Sequence, residues 1–379
     1  MAVQQPTDKK LIAFVSRNCW SVYNFRSDVL KALLDDGYAV AVIAPGDEFA
    51  AMLTGMGCTH HEVNFSNKGR NPFADIGLYF QLKSIYRKLK PKMIFHYVIK
   101  PNIYGSLAAS SLSIKSVAVV TGLGYAFAKR NWLYRLVKQL YKIALKRPEE
   151  VWFLNNEDAG IFNKEKIAGI EKIKVLPGEG VNVNYFSPAF NGEKIPNEKF
   201  CFLMSTRLLK SKGISVYADA ARILRQKNYE VNFDLLGFFE EHHPDAITPE
   251  DLHKWEQEGL ITYKGFVKDV RPYLKAADCF VLPSFYNEGV PRSLMEAASM
   301  ELPIITSINK GCREVVLNNS TGFLCNPNDP FDLAEKMERM IKLTPNFRMR
   351  MGKHGRLHVM KKFNVEKVVE EYRRVLRKT

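Results

Sequence analysis

Short apolar runs alternate along this chain with amphipathic stretches of helical spacing. Leu11-Ile-Ala-Phe-Val15 reads as a strand buried on both faces, because such strands lack polar alternation. A loop over 16–26 follows, then a helix carrying Val29, Leu30, Ala32, Leu33 and Leu34 that stops near Gly37. Tyr38-Ala-Val-Ala-Val-Ile-Ala44 is the next strand. Further strands are predicted at Met93–His96, Ser116–Val120 and Glu150–Leu154. A strand–helix–strand opening of this kind predicts a parallel, doubly wound sheet.

The pattern repeats in the second half. Phe200–Ser205 is a strand followed by the loop Thr206-Arg-Leu-Leu-Lys-Ser-Lys-Gly-Ile214 and a helix from Ser215. Val231–Gly237, Cys279–Pro283, Pro303–Thr306 and Gly322–Leu324 supply further strand signals. Between the halves, the segment 174–188 holds two glycines and two prolines and reads as an interdomain connection. The end, Phe363–Leu376, is amphipathic at helical spacing. With 379 residues, about two domains are expected.

Candidate chemistry gathers at strand ends. After Cys279–Pro283 comes Ser284-Phe-Tyr-Asn-Glu-Gly-Val-Pro-Arg-Ser-Leu-Met-Glu-Ala-Ala298, with Glu288 and Glu296 eight positions apart and Pro291 suited to a helix start. A helix start favours an anion. Arg207 and Lys212 share a strand-to-helix loop, where a flat guanidinium fork and a mobile ammonium suit a diphosphate. The first strand–helix loop lacks Gly-x-Gly-x-x-Gly, which argues against a nicotinamide dehydrogenase.

The Glu-Gly-Val-Pro-Arg-Ser-Leu-Met-Glu segment resembles the Glu-x7-Glu motif of the retaining family-4 glycosyltransferases. The resemblance extends over most of the chain. It implies an α/β GT-B fold, two Rossmann-like domains facing across a cleft with a last helix crossing back to the first. The expected divisions are 1–182, 183–360 and the crossover helix 361–379. Arg207 and Lys212 match the family's diphosphate-binding pair. The resemblance makes Glu288 the residue for donor-sugar hydroxyls and Glu296 that for the ribose, with Gly289 and Val290 beside them. It places the nucleotide base at Phe266 and Val267.

On the acceptor side, the resemblance points to Asn24 in the first loop, to His96 and Lys100 in His96–Gly105, and to Gly122 and Gly124 in Val120–Phe127. Relatives often carry a histidine at the position of Thr121-Gly122, and this chain has none there. Asn182 replaces the usual aspartate of the hinge motif, and Phe238–Pro244 departs from the common Gly-x-Gly-Pro. The variant Tyr-x-Glu-Gly-x-Pro-Arg is most similar to bacterial enzymes that extend undecaprenyl-diphosphate-linked sugars. That implies a UDP-sugar donor, N-acetylgalactosamine leading among the hexoses, and no cofactor or metal. A GT-B enzyme with a soluble acceptor and a non-catalytic sugar-nucleotide or membrane-docking module remain the alternatives.

Charge adds one further expectation. The formal balance is +15, and sixteen Lys or Arg between Lys68 and Arg147 face one acid, Asp75. Basic surplus of this size implies a phosphate-rich partner. Residues 131–147 pair helical apolar spacing at Leu133, Leu136, Val137, Leu140, Ile143 and Ala144 with flanking cations and Trp132, Tyr134 and Tyr141. A helix of this composition suits an anionic membrane surface. No zinc-finger, RNA-recognition or basic-repeat signature accompanies the charge, so nucleic acid is not expected. The polar start leads directly into a strand and does not read as a signal peptide. A cytoplasmic protein held peripherally at the inner face of the membrane is the expectation. Six scattered cysteines without a Cys-x-x-Cys pair argue against a zinc site and against a disulfide framework.

Overall fold

The computed structural model describes residues 9–64, 72–123, 127, 132–192, 198–240, 243–286 and 289–378. The chain divides into two compact units, Met1–Glu179 with Val365–Thr379, and Gly180–Asn364.

The first unit contains β1 (Leu11–Val15), α1 (Cys19–Asp35), β2 (Ala39–Ile43), α2 (Phe49–Gly55), β3 (Thr59–His61), α3 (Pro72–Leu89) and β4 (Met93–Tyr97). A π-helical turn (Pro101–Gly105) runs into α4 (Ser106–Ser110), followed by β5 (Lys115–Val120) and α5 (Trp132–Ala144). β6 (Glu150–Phe153), α6 (Asn156–Lys164) and β7 (Ile173–Val175) complete the sheet, whose order is β3-β2-β1-β4-β5-β6-β7. Every pairing is parallel, with Phe14 in register with Val42 on one side and Phe95 on the other.

The second unit contains β8 (Cys201–Ser205), α7 (Ile214–Gln226), β9 (Asn232–Leu236), α8 (Pro249–Gln257), β10 (Thr262–Tyr263), α9 (Arg271–Ala276) and β11 (Cys279–Leu282). Then come α10 (Arg292–Ser299), β12 (Ile304–Ser307), β13 (Gly322–Cys325), α11 (Pro330–Lys342) and α12 (Pro345–Phe363). Its sheet is again all parallel, in the order β10-β9-β8-β11-β12-β13. Both sheets grow outward in one direction and then reverse, beside β1 and β4 in one and β8 and β11 in the other. The crossovers leave opposite faces at those points, which opens a crevice above the carboxyl ends.

Two boundaries differ from the expected ones, the first at α1. α1 begins at Cys19 rather than after Arg26, because the Asn18 side chain caps it by accepting the Ser21 N–H at 3.1 Å. Asn18 sits inside what the sequence presents as a loop, and the aromatic-rich stretch after it carries little helical periodicity.

The last helix, α13 (Val365–Arg377), returns to the first unit. It starts four residues later than the expected 361, since Lys361–Phe363 still belong to α12 and the Phe363 carbonyl accepts the Val181 N–H at 2.8 Å. Tyr372 of α13 packs among Phe95 (4.6 Å between ring centroids), Trp152 (4.9 Å) and Phe14 (6.0 Å). Its hydroxyl meets that of Tyr97 at 2.6 Å. Arg374 binds Glu150, and Arg373 binds Asp36 at 2.7 Å.

Beneath this stack lies Arg26, 5% exposed, 4.5 Å from the Tyr97 ring centroid and hydrogen-bonded to Glu179 at 2.8 Å. Burial alone would lower the guanidinium pKa, and the Glu179 carboxylate reverses this and raises it. Glu179 is the last residue of the outgoing chain in this unit. One buried ion pair therefore fixes the chain as it leaves, beside the helix that brings it back. Removing one partner of a buried pair strands the other charge, so Glu179→Ala should lower the unfolding free energy by about 3 kcal/mol, measurable as a shifted urea midpoint.

Candidate functional site

In the second unit the reversal point lies between β8 and β11. The loop after β8 carries Arg207 and Lys212, and the loop after β11 carries Ser284 to Pro291. The two are stitched together by backbone groups. Phe285 N–H donates to the Ser211 carbonyl at 2.9 Å, and Ser284 Oγ donates to the same oxygen at 3.3 Å. The Ser284 carbonyl in turn accepts from Ser307 Oγ and from Asn309 Nδ2, which ties in the loop after β12.

Gly213 makes this approach possible. Its φ is +83°, and a Cβ there would lie 2.3 Å from the Pro283 carbonyl oxygen. Gly237, at the end of β9, plays the same part against the Thr206 carbonyl, 2.0 Å from where a Cβ would stand.

Lys212 is 6% exposed, and its Nζ lies 5.5 Å from the centroid of the Tyr286 ring, so the two loops place an ammonium beside an aromatic face. Arg207 is half-buried and its Nη1 binds Glu240 Oε1 at 2.9 Å. Asp245 braces the same loop: its carboxylate accepts the Ser211 N–H at 3.0 Å and the Ser211 hydroxyl, and its carbonyl accepts the Lys210 N–H at 2.8 Å. Neither Glu240 nor Asp245 is singled out by sequence spacing. They lie more than thirty residues from their partners, and only pairing of β8 with β9 brings them close.

Glu296 lies on α10, where Arg292 Nε binds its Oε1 at 2.9 Å. Burial raises the carboxyl pKa above its usual range while Arg292 opposes the shift. Val290 buries its side chain in the second core, so its backbone is what it can offer a ligand. Phe266 is 58% exposed and stands edge-on to Phe238, with centroids 5.9 Å apart, just after Gly265 at φ +76°. Val267 packs partly against the core. Glu288 lies outside the described residues, and its neighbour Gly289 is half-buried.

The residues expected on the acceptor side, in the first unit, are more scattered in role. Asn24 sits on α1, donating from Nδ2 to the Trp20 carbonyl at 2.9 Å, and so is a helix residue rather than a loop one. His96 is a correction. It is fully buried in β4, with Nε2 3.0 Å from the Tyr86 hydroxyl and Nδ1 3.4 Å from Ser106 Oγ. Burial pushes its pKa down to about 3, so the ring is neutral, and it offers no nitrogen to an acceptor. A Cβ on Gly105 would lie 2.5 Å from the His96 ring, which explains that glycine.

Lys100 does stand at the carboxyl edge, half-buried, 2.8 Å from Asp75. Next to it, Val98 has φ +64°, an unfavourable backbone for a β-branched residue, and the π turn follows. Such outliers collect where function constrains the chain. Gly122 adopts φ +155°, open to solvent on its Cβ side, and Gly124 lies outside the described residues. Among the described residues no group of three or more His, Cys, Asp or Glu could hold a metal ion.

Two parallel Rossmann-like sheets with a returning last helix define the GT-B class. A solved glycosyltransferase from Rickettsia africae matches with a TM-score of 0.82 at 21% identity, over 98% of this chain and 99% of that one. Anabaena Alr3699/HepE in complex with UDP matches with a TM-score of 0.79 at 18% identity, over 98% and 100%.

Residues 187–358 match the family model described as glycosyl transferases group 1, and residues 11–155 that described as glycosyl transferase 4-like. The chain is also 30% identical over 345 residues to the N,N'-diacetylbacillosaminyl-diphospho-undecaprenol alpha-1,3-N-acetylgalactosaminyltransferase of Campylobacter jejuni, covering 87% of this chain and 89% of that protein. It is 30% identical over 309 residues to the UDP-Gal:alpha-D-GlcNAc-diphosphoundecaprenol alpha-1,3-galactosyltransferase of Escherichia coli, covering 76% and 77%. The chain belongs to this glycosyltransferase family.

Gly213→Ala tests the loop geometry. Positive φ and contact with Pro283 should together cost at least about 1–3 kcal/mol, read as a lower melting temperature of the second unit in calorimetry.

Proposed function

We propose that the chain transfers a hexose, N-acetylgalactosamine first among them, from a UDP-sugar to a saccharide carried on undecaprenyl diphosphate, with retention at the anomeric carbon. The observation that carries this is the stitched pair of loops at the β8/β11 reversal, which sets Lys212 and Arg207 at the switch point of the sheet in a chain of this family. The names of the two relatives support the acceptor, since both act on diphosphoundecaprenol-linked sugars. The E. coli name specifies UDP-Gal, and the Campylobacter name specifies N-acetylgalactosaminyl transfer.

The chemistry follows from charge. Breaking the bond between the anomeric carbon and the β-phosphate oxygen leaves that phosphate more negative and the sugar oxocarbenium-like. Arg207 and Lys212, fixed before the reaction begins, stabilise the departing diphosphate, each by about 3–4 kcal/mol if well placed. The two cations do the work that a divalent metal does elsewhere. Glu240 holds the guanidinium through Nη1 alone, so the remaining N–H groups of its fork bind the diphosphate without its leaving that carboxylate. The acceptor hydroxyl attacks on the face that the diphosphate leaves, and its proton passes to the leaving phosphate oxygen. Glu288 orients the donor sugar through its hydroxyls, Glu296 the ribose, and Phe266 with the Val267 backbone the uracil.

Contact with an anionic membrane completes the proposal. α5 buries Tyr134, Val137, Tyr141 and Ala144. Its other face exposes Trp132, Leu136 and Ile143 next to Arg135, with Lys142 half-buried beside them. Of the apolar positions at helical spacing, Val137 and Ala144 turn into the core, while Leu136 and Ile143 belong to a mixed apolar and cationic face suited to a bilayer surface. Among the described residues no helix is long and apolar enough to cross a membrane.

Two measurements test the site. Arg207→Ala combined with Lys212→Ala should weaken UDP binding at least a hundredfold by calorimetry, from about 1.5–3 kcal/mol per charge-assisted bond; unchanged affinity rules out the donor site. Glu288→Ala should lower transfer by about two to three orders of magnitude with the melting temperature unchanged, and wild-type turnover would remove Glu288 from the mechanism.

A further inference from the structure

The foot of α5 is left unused by the transfer reaction. α5 leaves the carboxyl end of β5 and hands the chain to the amino end of β6, so Lys142 to Arg147 sit toward the amino edge of the first sheet. α6 runs the same way, and the segment 165–172 follows it before β7. Between these two helix ends lies an open groove of about 740 Å³. Lys142, Lys146, Lys166 and Lys172 line it, against the single acid Glu171.

Lys172 is committed to the fold, its Nζ donating to the Lys146 and Pro148 carbonyls at 2.8 and 2.9 Å. The ammonium groups of Lys142, Lys146 and Lys166 have no ion-pair or hydrogen-bond partner among the described residues. Like charges gathered without counter-ions repel one another and raise the local potential, which draws an anion.

Charge alone fits any phosphate. The walls narrow the choice. Ile143 (57% exposed) and Ile170 (64%) line the same groove, and Leu136 and Trp132 continue the exposed apolar stripe up α5. A 13-residue helix extends this stripe over about 20 Å. A free phosphate gains nothing from exposed isoleucines, whereas a lipid presents a charged headgroup and acyl chains side by side.

We infer that this groove is a headgroup site for an anionic phospholipid, whose phosphate is held by Lys142, Lys146 and Lys166 while Ile143 and Ile170 enter the acyl layer. The inference rests on the membrane contact proposed above and gives it a discrete, saturable site. Because the acceptor loops stand at the carboxyl edge of the sheet and the groove toward the amino edge, the lipid bound here is an anchor and not the acceptor.

The test uses the full chain, sedimented with phosphatidylcholine vesicles that contain or lack phosphatidylglycerol. Lys146→Ala with Lys166→Ala removes the groove charges. Arg135→Glu with Leu136→Ala alters only the outer face of the helix. The groove variant should bind the anionic vesicles about thirtyfold more weakly, which is about 2 kcal/mol for two lysines at an anionic surface. Its melting temperature and its transfer to a water-soluble acceptor should not change. Monomeric dihexanoyl phosphatidylglycerol should shift the lysine NMR signals of the wild type saturably, with inorganic phosphate at least ~tenfold weaker for want of apolar contact.

Wild-type vesicle affinity in the groove variant overturns the inference, as does inorganic phosphate binding as tightly as the lipid. If the helix-face variant loses binding and the groove variant keeps it, the membrane contact stands and the headgroup site falls. The reverse result keeps the site and discards the helix face.

Discussion

The constraint on which the rest depends is the reversal of strand order between β8 and β11. Right-handed crossovers place α7 and α10 on opposite faces of the sheet, which opens a crevice at the carboxyl ends where they part. Loops of different length and composition must then close on each other with backbone hydrogen bonds. Gly213 permits it by adopting a positive φ and by leaving no Cβ in front of Pro283. The result is a rigid floor from which a nearly buried Lys212 and a half-buried Arg207 are presented. Both cations are thereby held by the backbone contacts of the loops that carry them.

The same topology in the first unit produces a different edge. There the loop after β4 holds Val98 at a left-handed φ, then a π turn, and Asn102 ties that turn to β5 through the Val119 carbonyl at 3.0 Å. His96, with a neutral ring packed between Tyr86 and Ser106, supports this edge from below. Lys100 is the cation that reaches it. Strain and irregular helix are kept here because the buried strand and its neighbours hold the loop on both sides. Part of the basic surplus of this unit lies elsewhere, on α5 and at its foot.

The linkage of the two ends of the first unit is equally physical. The chain leaves past Glu179 and returns as α13, and both are held by groups that would be costly if alone: a buried guanidinium, a half-buried carboxylate and two tyrosine hydroxyls. The Arg26–Glu179 pair and the Tyr97–Tyr372 contact satisfy each other, and aromatic rings exclude water around them.

Strand identity, the repeated α/β order, the returning helix, and the placement of Arg207 and Lys212 in a strand-to-helix loop and of Glu296 on a helix were legible from residues alone, because each depends on local periodicity. Buried parallel strands read as unbroken apolar runs, and loop cations announce themselves by type. What the chain order could not contain were contacts between distant loops: Glu240 on Arg207, Asp245 under Ser211, Glu179 on Arg26. Nor could it tell which apolar residues of α5 face inward, since Leu136 and Val137 are both at helical spacing and only packing against the sheet chooses between them. His96 was misjudged for the same reason. A histidine at a strand end looks the same in sequence whether its ring turns toward the crevice or into the core, and the tertiary packing of Tyr86, Ser106 and Gly105 decided that it turns inward.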